Sequence, residues 1–256
     1  MTRFCLAFFT LLLGLPAASP AIIHERKQLT IDFTDPKDAA AKATWSVPDK
    51  IGVSKGGLGW DGETNNLRDG WIETVPLAVG RSWRPAQSVS LRVTLTSAPK
   101  ELTLPNGQTL TPFAGSVFVR HSPDGKHWSN WQALTWERPE DDSASGRRFT
   151  GLVEVPHRER TEYERLWEEY RKQDVPWVDD EETLTRWIVE REPHFFRDHK
   201  PFIGYVQFLW EGPFYGGQRI SSFEADVSFA LSGWHSPPKD PAAEQDRDGP
   251  WRFKAP

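Results

Sequence analysis

The residues best suited to chemistry crowd into one Gly-rich stretch, Gly56-Gly-Leu-Gly-Trp60-Asp61-Gly-Glu63-Thr-Asn65-Asn66-Leu-Arg68-Asp69-Gly-Trp71. A loop that presents tryptophan beside Asp, Asn and Arg suits sugar binding. The indole face covers apolar C–H patches, while forked polar groups bond hydroxyls. Trp60, Asp61, Asn66, Arg68 and Trp71 are therefore the candidate binding residues. Trp83, in Arg81-Ser-Trp83-Arg84-Pro85, can extend that surface with an arginine stacked on the ring. The same stretch also fits a turn-rich connection whose indoles are core and whose Asp–Arg pair is structural.

Acid chemistry has fewer candidates. Glu224-Ala-Asp226 places two carboxylates on one strand face, about 7 Å apart by strand rise. A glycosidase needs a nucleophile and a separate acid at a defined separation, and Glu211 is the remaining candidate. Ordinary polar-out alternation of a solvated strand accounts for Glu224 and Asp226 equally well. His194, Asp198 and His199 form the only close metal-type cluster in the sequence. Their spacing matches neither a helical i, i+4 pair nor His-Glu-x-x-His, so no zinc site is expected. Asp61, Glu63 or Asp69 could supply oxygen ligands to calcium, but no EF-hand spacing exists, and no cofactor is expected. There is no Gly-x-Ser-x-Gly, so serine-hydrolase chemistry is not indicated.

The bounds on the whole chain agree with a binding role outside the cytoplasm. With 256 residues, 13 Trp, 15 Phe and only 19 Gly, the chain can bury a sizeable core and is neither collagen, coiled coil nor disordered throughout. Arg3, the apolar run Phe4 to Leu15 and the small residues Ala17 to Ala21 read as a signal peptide over residues 1–21. That run is shorter than the roughly 20 apolar residues a bilayer needs, so no stable membrane span is expected after cleavage. Cleavage would remove Cys5, the only cysteine, leaving no disulfide and no thiol chemistry. The expectation is an exported protein, periplasmic or extracellular and bacterial. The formal net charge of −5, without a basic stripe, speaks against nucleic acid as a partner.

These residues have to be positioned by strands. Leu29, Ile31 and Phe33 alternate with polar residues, as do Val89, Leu91, Val93 and Leu95. Asp35-Pro36, Ser54 to Gly59, Pro105-Asn106-Gly107 and Pro123-Asp124-Gly125 punctuate the strands as turns. Strands resume at Phe202 to Trp210 and at Ile220 to Leu231. Between the two β regions the period changes. Thr161 with Glu164, then Tyr163, Leu166, Trp167 and Tyr170, predict a helix over 161–173. Asp179 with Glu182, then Leu184, Trp187 and Ile188, predict a second over 180–191, stopped by Pro193. Their aromatic faces either lie across the sandwich or wall a groove or partner site. Residues 235–256, rich in Pro and charge, read as a flexible tail. The fold class expected is mainly β, an antiparallel jelly-roll-like sandwich over 22–234, with a helical pair inserted at about 157–199.

Ser122-Pro-Asp-Gly-Lys-His-Trp128 resembles the Ser-x-Asp-Gly-x-x-Trp hairpin of discoidin-like and related carbohydrate-binding jelly-roll modules of bacterial extracellular proteins. Phe202 to Phe208 and Arg219 to Phe223 resemble the strand pair that follows it. The resemblance implies a module used to bind glycans and implies no catalytic residues. Glu224-Ala-Asp226 also resembles the Glu-x-Asp-x-x-Glu strand of laminarin-type glucanases, with Phe229 in place of the third acid. The function expected is therefore non-catalytic binding of a glycan or another envelope component. The alternatives are a glycoside hydrolase or polysaccharide lyase, and an assembly protein that uses its aromatic helical face.

Overall fold

A computed structural model describes residues 23–46, 51–54, 56–60, 67–79, 86–98, 102–110, 115–137, 146–173 and 181–231. The expected signal segment and tail, Asp61, Asn66 and Trp83 lie outside these residues; of Trp60 and Arg68 only the backbone is described.

From the N-terminal side the chain forms β1 (Ile23–Asp32), α1 (Pro36–Lys42), β2 (Ala43–Trp45), β3 (Ile51–Ser54), β4 (Gly57–Trp60), β5 (Leu67–Thr74), β6 (Leu77–Ala78) and β7 (Ala86–Ala98). A small ribbon of β8 (Leu102–Thr103) and β9 (Thr109–Leu110) precedes β10 (Ser116–Ser122), β11 (Gln132–Ala133), β12 (Thr135–Glu137) and β13 (Gly146–Glu154). Helices α2 (His157–Lys172), α3 (Glu181–Arg191) and α4 (Pro193–Asp198) follow, then β14 (Tyr205–Tyr215) and β15 (Arg219–Leu231).

These strands make an antiparallel β-sandwich. One sheet has seven strands in the order β12-β13-β7-β15-β4-β3, with β1 also on β15. The other has six, in the order β11-β10-β14-β5-β2, with β6 on β14. Successive strands cross repeatedly between the sheets, as a jelly roll requires. Alternation decides which side chains meet between them. Leu29 and Ile31, Val89 to Leu95 at every second position, and Phe223, Ala225, Val227 and Phe229 point inward from the seven-stranded sheet. Val117, Val119, Ile72, Val206, Phe208 and Trp210 meet them from the other, and the rings of Phe208 and Phe223 approach to 5.7 Å. Each such burial stabilises the fold by about 1.5–3 kcal/mol.

The β3–β4 hairpin needs its glycines. Gly57 has φ +115°, and a Cβ there would sit 2.2 Å from the carbonyl oxygen of Ile220. The hairpin can therefore close against β15 only with glycine at this position.

The helical segment differs from expectation in three respects. Helix α2 begins at His157 after Pro156, four residues before the expected capping box, and Thr161 Oγ1 donates to the His157 carbonyl within the helix. Pro193 ends α3 but also occupies the first turn of α4, where its missing N–H costs nothing. The buried side chains of the segment do not join the sandwich core. Tyr163, Trp167, Leu184, Ile188, Phe196 and Phe202 form a cluster of their own, with Tyr163 edge-on to Phe202 at 5.3 Å. It joins the sandwich at the rim where β7 begins, through Arg160 Nη1 to Gln87 Oε1 at 2.6 Å and Ile203 N to the Ala86 carbonyl at 2.8 Å. Among the described residues no helix is long and apolar enough to cross a membrane. The Asp35-Pro36 pair, expected as a turn, starts α1: Asp35 accepts from Lys37 N–H at 2.9 Å, and Pro36 fits the first helical position.

Candidate functional site

The outer face of the six-stranded sheet carries aromatic and polar side chains side by side. Because Ile72, Phe208, Trp210, Val117 and Val119 point into the core, alternation turns their neighbours outward. Asp69, Trp71 and Glu73 of β5 face out beside Leu209 and Glu211 of β14, with Trp71 opposite Glu211 and Glu73 opposite Leu209. Across the other edge of β14, Phe118 stands opposite Leu209 and Arg120 opposite Gln207. Trp71 is one of the few large apolar side chains left exposed among the described residues, at 37%. Its backbone is held to Ser46, whose Oγ accepts from Trp71 N–H at 2.9 Å.

Arg120 organises the middle of this face. Its Nη2 lies 2.8 Å from Glu73 Oε1, and its Nε and Nη2 lie 2.9 and 2.7 Å from Gln207 Oε1. Gln207 in turn donates from Nε2 to the Thr74 carbonyl at 2.6 Å. The guanidinium stands 4.8 Å from the ring centroid of Trp128 and 4.4 Å from that of Trp131. Such contacts add about 0.5–2 kcal/mol each, according to exposure.

The loop after β10 delivers those two indoles. Ser122 Oγ accepts from Gly125 N–H at 2.9 Å, and Asp124 Oδ1 accepts from the N–H groups of Lys126 and His127 at 2.8 and 2.9 Å. Burial alone would push the Asp124 carboxyl up, but those backbone donors and the His127 ring outweigh it and hold its pKa below the usual range. Gly125 supplies the φ of +76° that the tight turn requires. Ser129 then bonds back to His121 in both directions, N–H to carbonyl at 2.8 Å and Oγ to N–H at 3.0 Å, so Trp128 folds onto β10.

Of the residues expected to bind, Trp71 lies on this face. The three acids considered for hydrolysis are not brought together. Glu211 is on the outer face of the six-stranded sheet, whereas Glu224 and Asp226 flank inward Ala225 on the outer face of the other. Stacked sheets lie about 10 Å apart, and outward carboxylates on opposite sides are further apart still. That exceeds the roughly 5–9.5 Å that flanks a glycosidic bond, so these acids do not form one catalytic set. Among the expected metal-type residues, Asp198 pairs with Arg197 at 2.9 Å and His199 with Glu159, while His194 is exposed; the three do not converge.

Glu73, Arg120, Gln207 and Trp131 were not singled out by the sequence. Their local signal is slight, a lone arginine in an outward position of a strand and two tryptophans beyond an Asp-Gly turn. The chain matches no known family model and no curated protein significantly.

Proposed function

We propose that the chain is an exported, non-catalytic binding protein that takes a glycan on the outer face of the six-stranded sheet. The observation that carries the reading is exposed Trp71, set beside polar groups whose positions are fixed in advance. An indole on a rigid strand offers a flat apolar platform at little entropic cost. Glu73 and Arg120, already locked by their mutual bond and by buried Gln207, supply an acceptor and donors around it without reorganisation. The resemblance of the Ser122 to Trp128 hairpin to discoidin-like modules supports the same class of ligand, and the apolar leader with its small-residue end supports export.

The test is titration of the chain with a panel of polysaccharides, read by tryptophan fluorescence, with every mixture assayed for products. Saturable binding that weakens roughly tenfold in Trp71→Ala, about 1.4 kcal/mol, at unchanged melting temperature supports the reading. New reducing ends or unsaturated products refute its non-catalytic part. Failure of every glycan to bind refutes the ligand class and leaves an envelope protein as the partner.

A further inference from the structure

A concavity opens on the seven-stranded sheet, on the side away from Trp71. A hollow of about 400 Å³ lies on the outer face of the seven-stranded sheet, lined in part by Arg26, Ser90, Arg92, Thr150, Asp226 and Ser228. Its shape follows from the cross-strand register. Ser90 and Ser228 stand opposite each other on β7 and β15, and two such small side chains leave a depression. In the adjoining row Thr150, Arg92 and Asp226 are successive neighbours across β13, β7 and β15, and they raise one wall. Arg26 of β1 stands opposite Ser228 and closes the far end, with its Nη2 3.6 Å from Asp226 Oδ2.

We propose that this hollow binds a sugar acid, a polyhydroxylated molecule with one carboxylate, either free or as a unit of an acidic polysaccharide. Two guanidinium groups face one carboxylate, which leaves the walls one positive charge in excess and suits a monoanion. Arg92 enters no ion pair among the described residues, and its planar fork matches a carboxylate bidentately. Asp226 accepts only, so it disfavours a dianion such as sulfate but accepts hydrogen bonds from the hydroxyls of a sugar ring. The hydroxyls of Ser90, Ser228 and Thr150 donate or accept as a ring demands. The volume lies within the roughly 300–1,000 Å³ of small-molecule sites. The site stands on the sheet opposite Trp71 and does not depend on the glycan reading of that face.

Calorimetric titration of the full chain with glucuronate, glucose, sulfate and polygalacturonate decides it. Saturable glucuronate binding is expected, at least tenfold weaker in Arg92→Gln, with glucose and sulfate inert. Polygalacturonate binding that Arg92→Gln weakens, and that is tighter per sugar unit than glucuronate, would assign the polymer as the source, and equal affinity the free acid. Should Arg92→Gln fail to fold by thermal melting, Ser228→Leu, which fills the hollow, replaces it with the same expected loss. Absence of saturable binding by either sugar acid overturns the proposal. So does full affinity in the hollow variant, or equal binding of glucose or sulfate.

Discussion

His121 should make the protein lose stability as pH falls. It occupies the inward row of β10, 4% exposed, and its Nδ1 has no hydrogen-bond partner. Burial first, and the nearby positive charge of Lys200 second, lower its pKa from 6.5 to about 4. The unfolded chain therefore binds a proton near pH 6.5 that the folded chain refuses until about pH 4. Above the upper value the group contributes nothing to the pH dependence. Between the two values stability declines, and below the lower one the loss is complete. With one pKa unit worth 1.36 kcal/mol, the full loss is about 3 kcal/mol, of which about 2 kcal/mol has gone by about pH 5. The perturbation is His121→Leu, which is neutral at every pH and stays apolar in the same pocket. Urea unfolding of both proteins at about pH 7.5 and about pH 5 gives four free energies. The wild-type loss should exceed the variant loss by about 2 kcal/mol, because the other histidines are common to both and cancel. Equal losses, within about 0.5 kcal/mol, would refute the assignment of a buried, neutral, unpaired imidazole.

Further outcomes follow from other parts of the molecule. Arg120→Ala should cost about 2 kcal/mol in urea unfolding, since it removes two cation–π contacts and leaves buried Gln207 Oε1 without its donor. Gly57→Ala should destabilise by more than about 2 kcal/mol, because the added Cβ meets backbone at 2.2 Å on a φ of +115°. Phe196→Ala should cost about 3–5 kcal/mol if the whole chain unfolds as one unit. Hydrogen exchange on that variant, faster in 157–198 with β7 and β15 unchanged, would show instead that the helical cluster opens on its own.

Much of the scaffold was legible because strand alternation is local. The run Val89 to Leu95 and the run Phe223 to Phe229 declared their inward faces through a period of two, and both are core in the structure. Helix periodicity likewise located α2 and α3. It missed α1 and α4, because both begin with proline, which reads as a breaker when its helix is too short to show a period. Of the candidate site, Trp71 was legible as an aromatic beside polar groups. The network that surrounds it was not, since Arg120 meets Glu73 across 47 positions and Gln207 across 87.

The sequence by itself thus determined a mainly β chain with a helical interruption, because hydrophobic period is written in neighbouring residues. Tertiary structure alone decided which acids share a face. Glu211 and Glu224 stand only 13 positions apart in the sequence yet on opposite outer surfaces, because β14 and β15 belong to different sheets. It also decided which indoles stack on Arg120 and where two serines leave a hollow. Those outcomes depend on strand order and register, set by the summed packing of the whole core rather than by any segment of it.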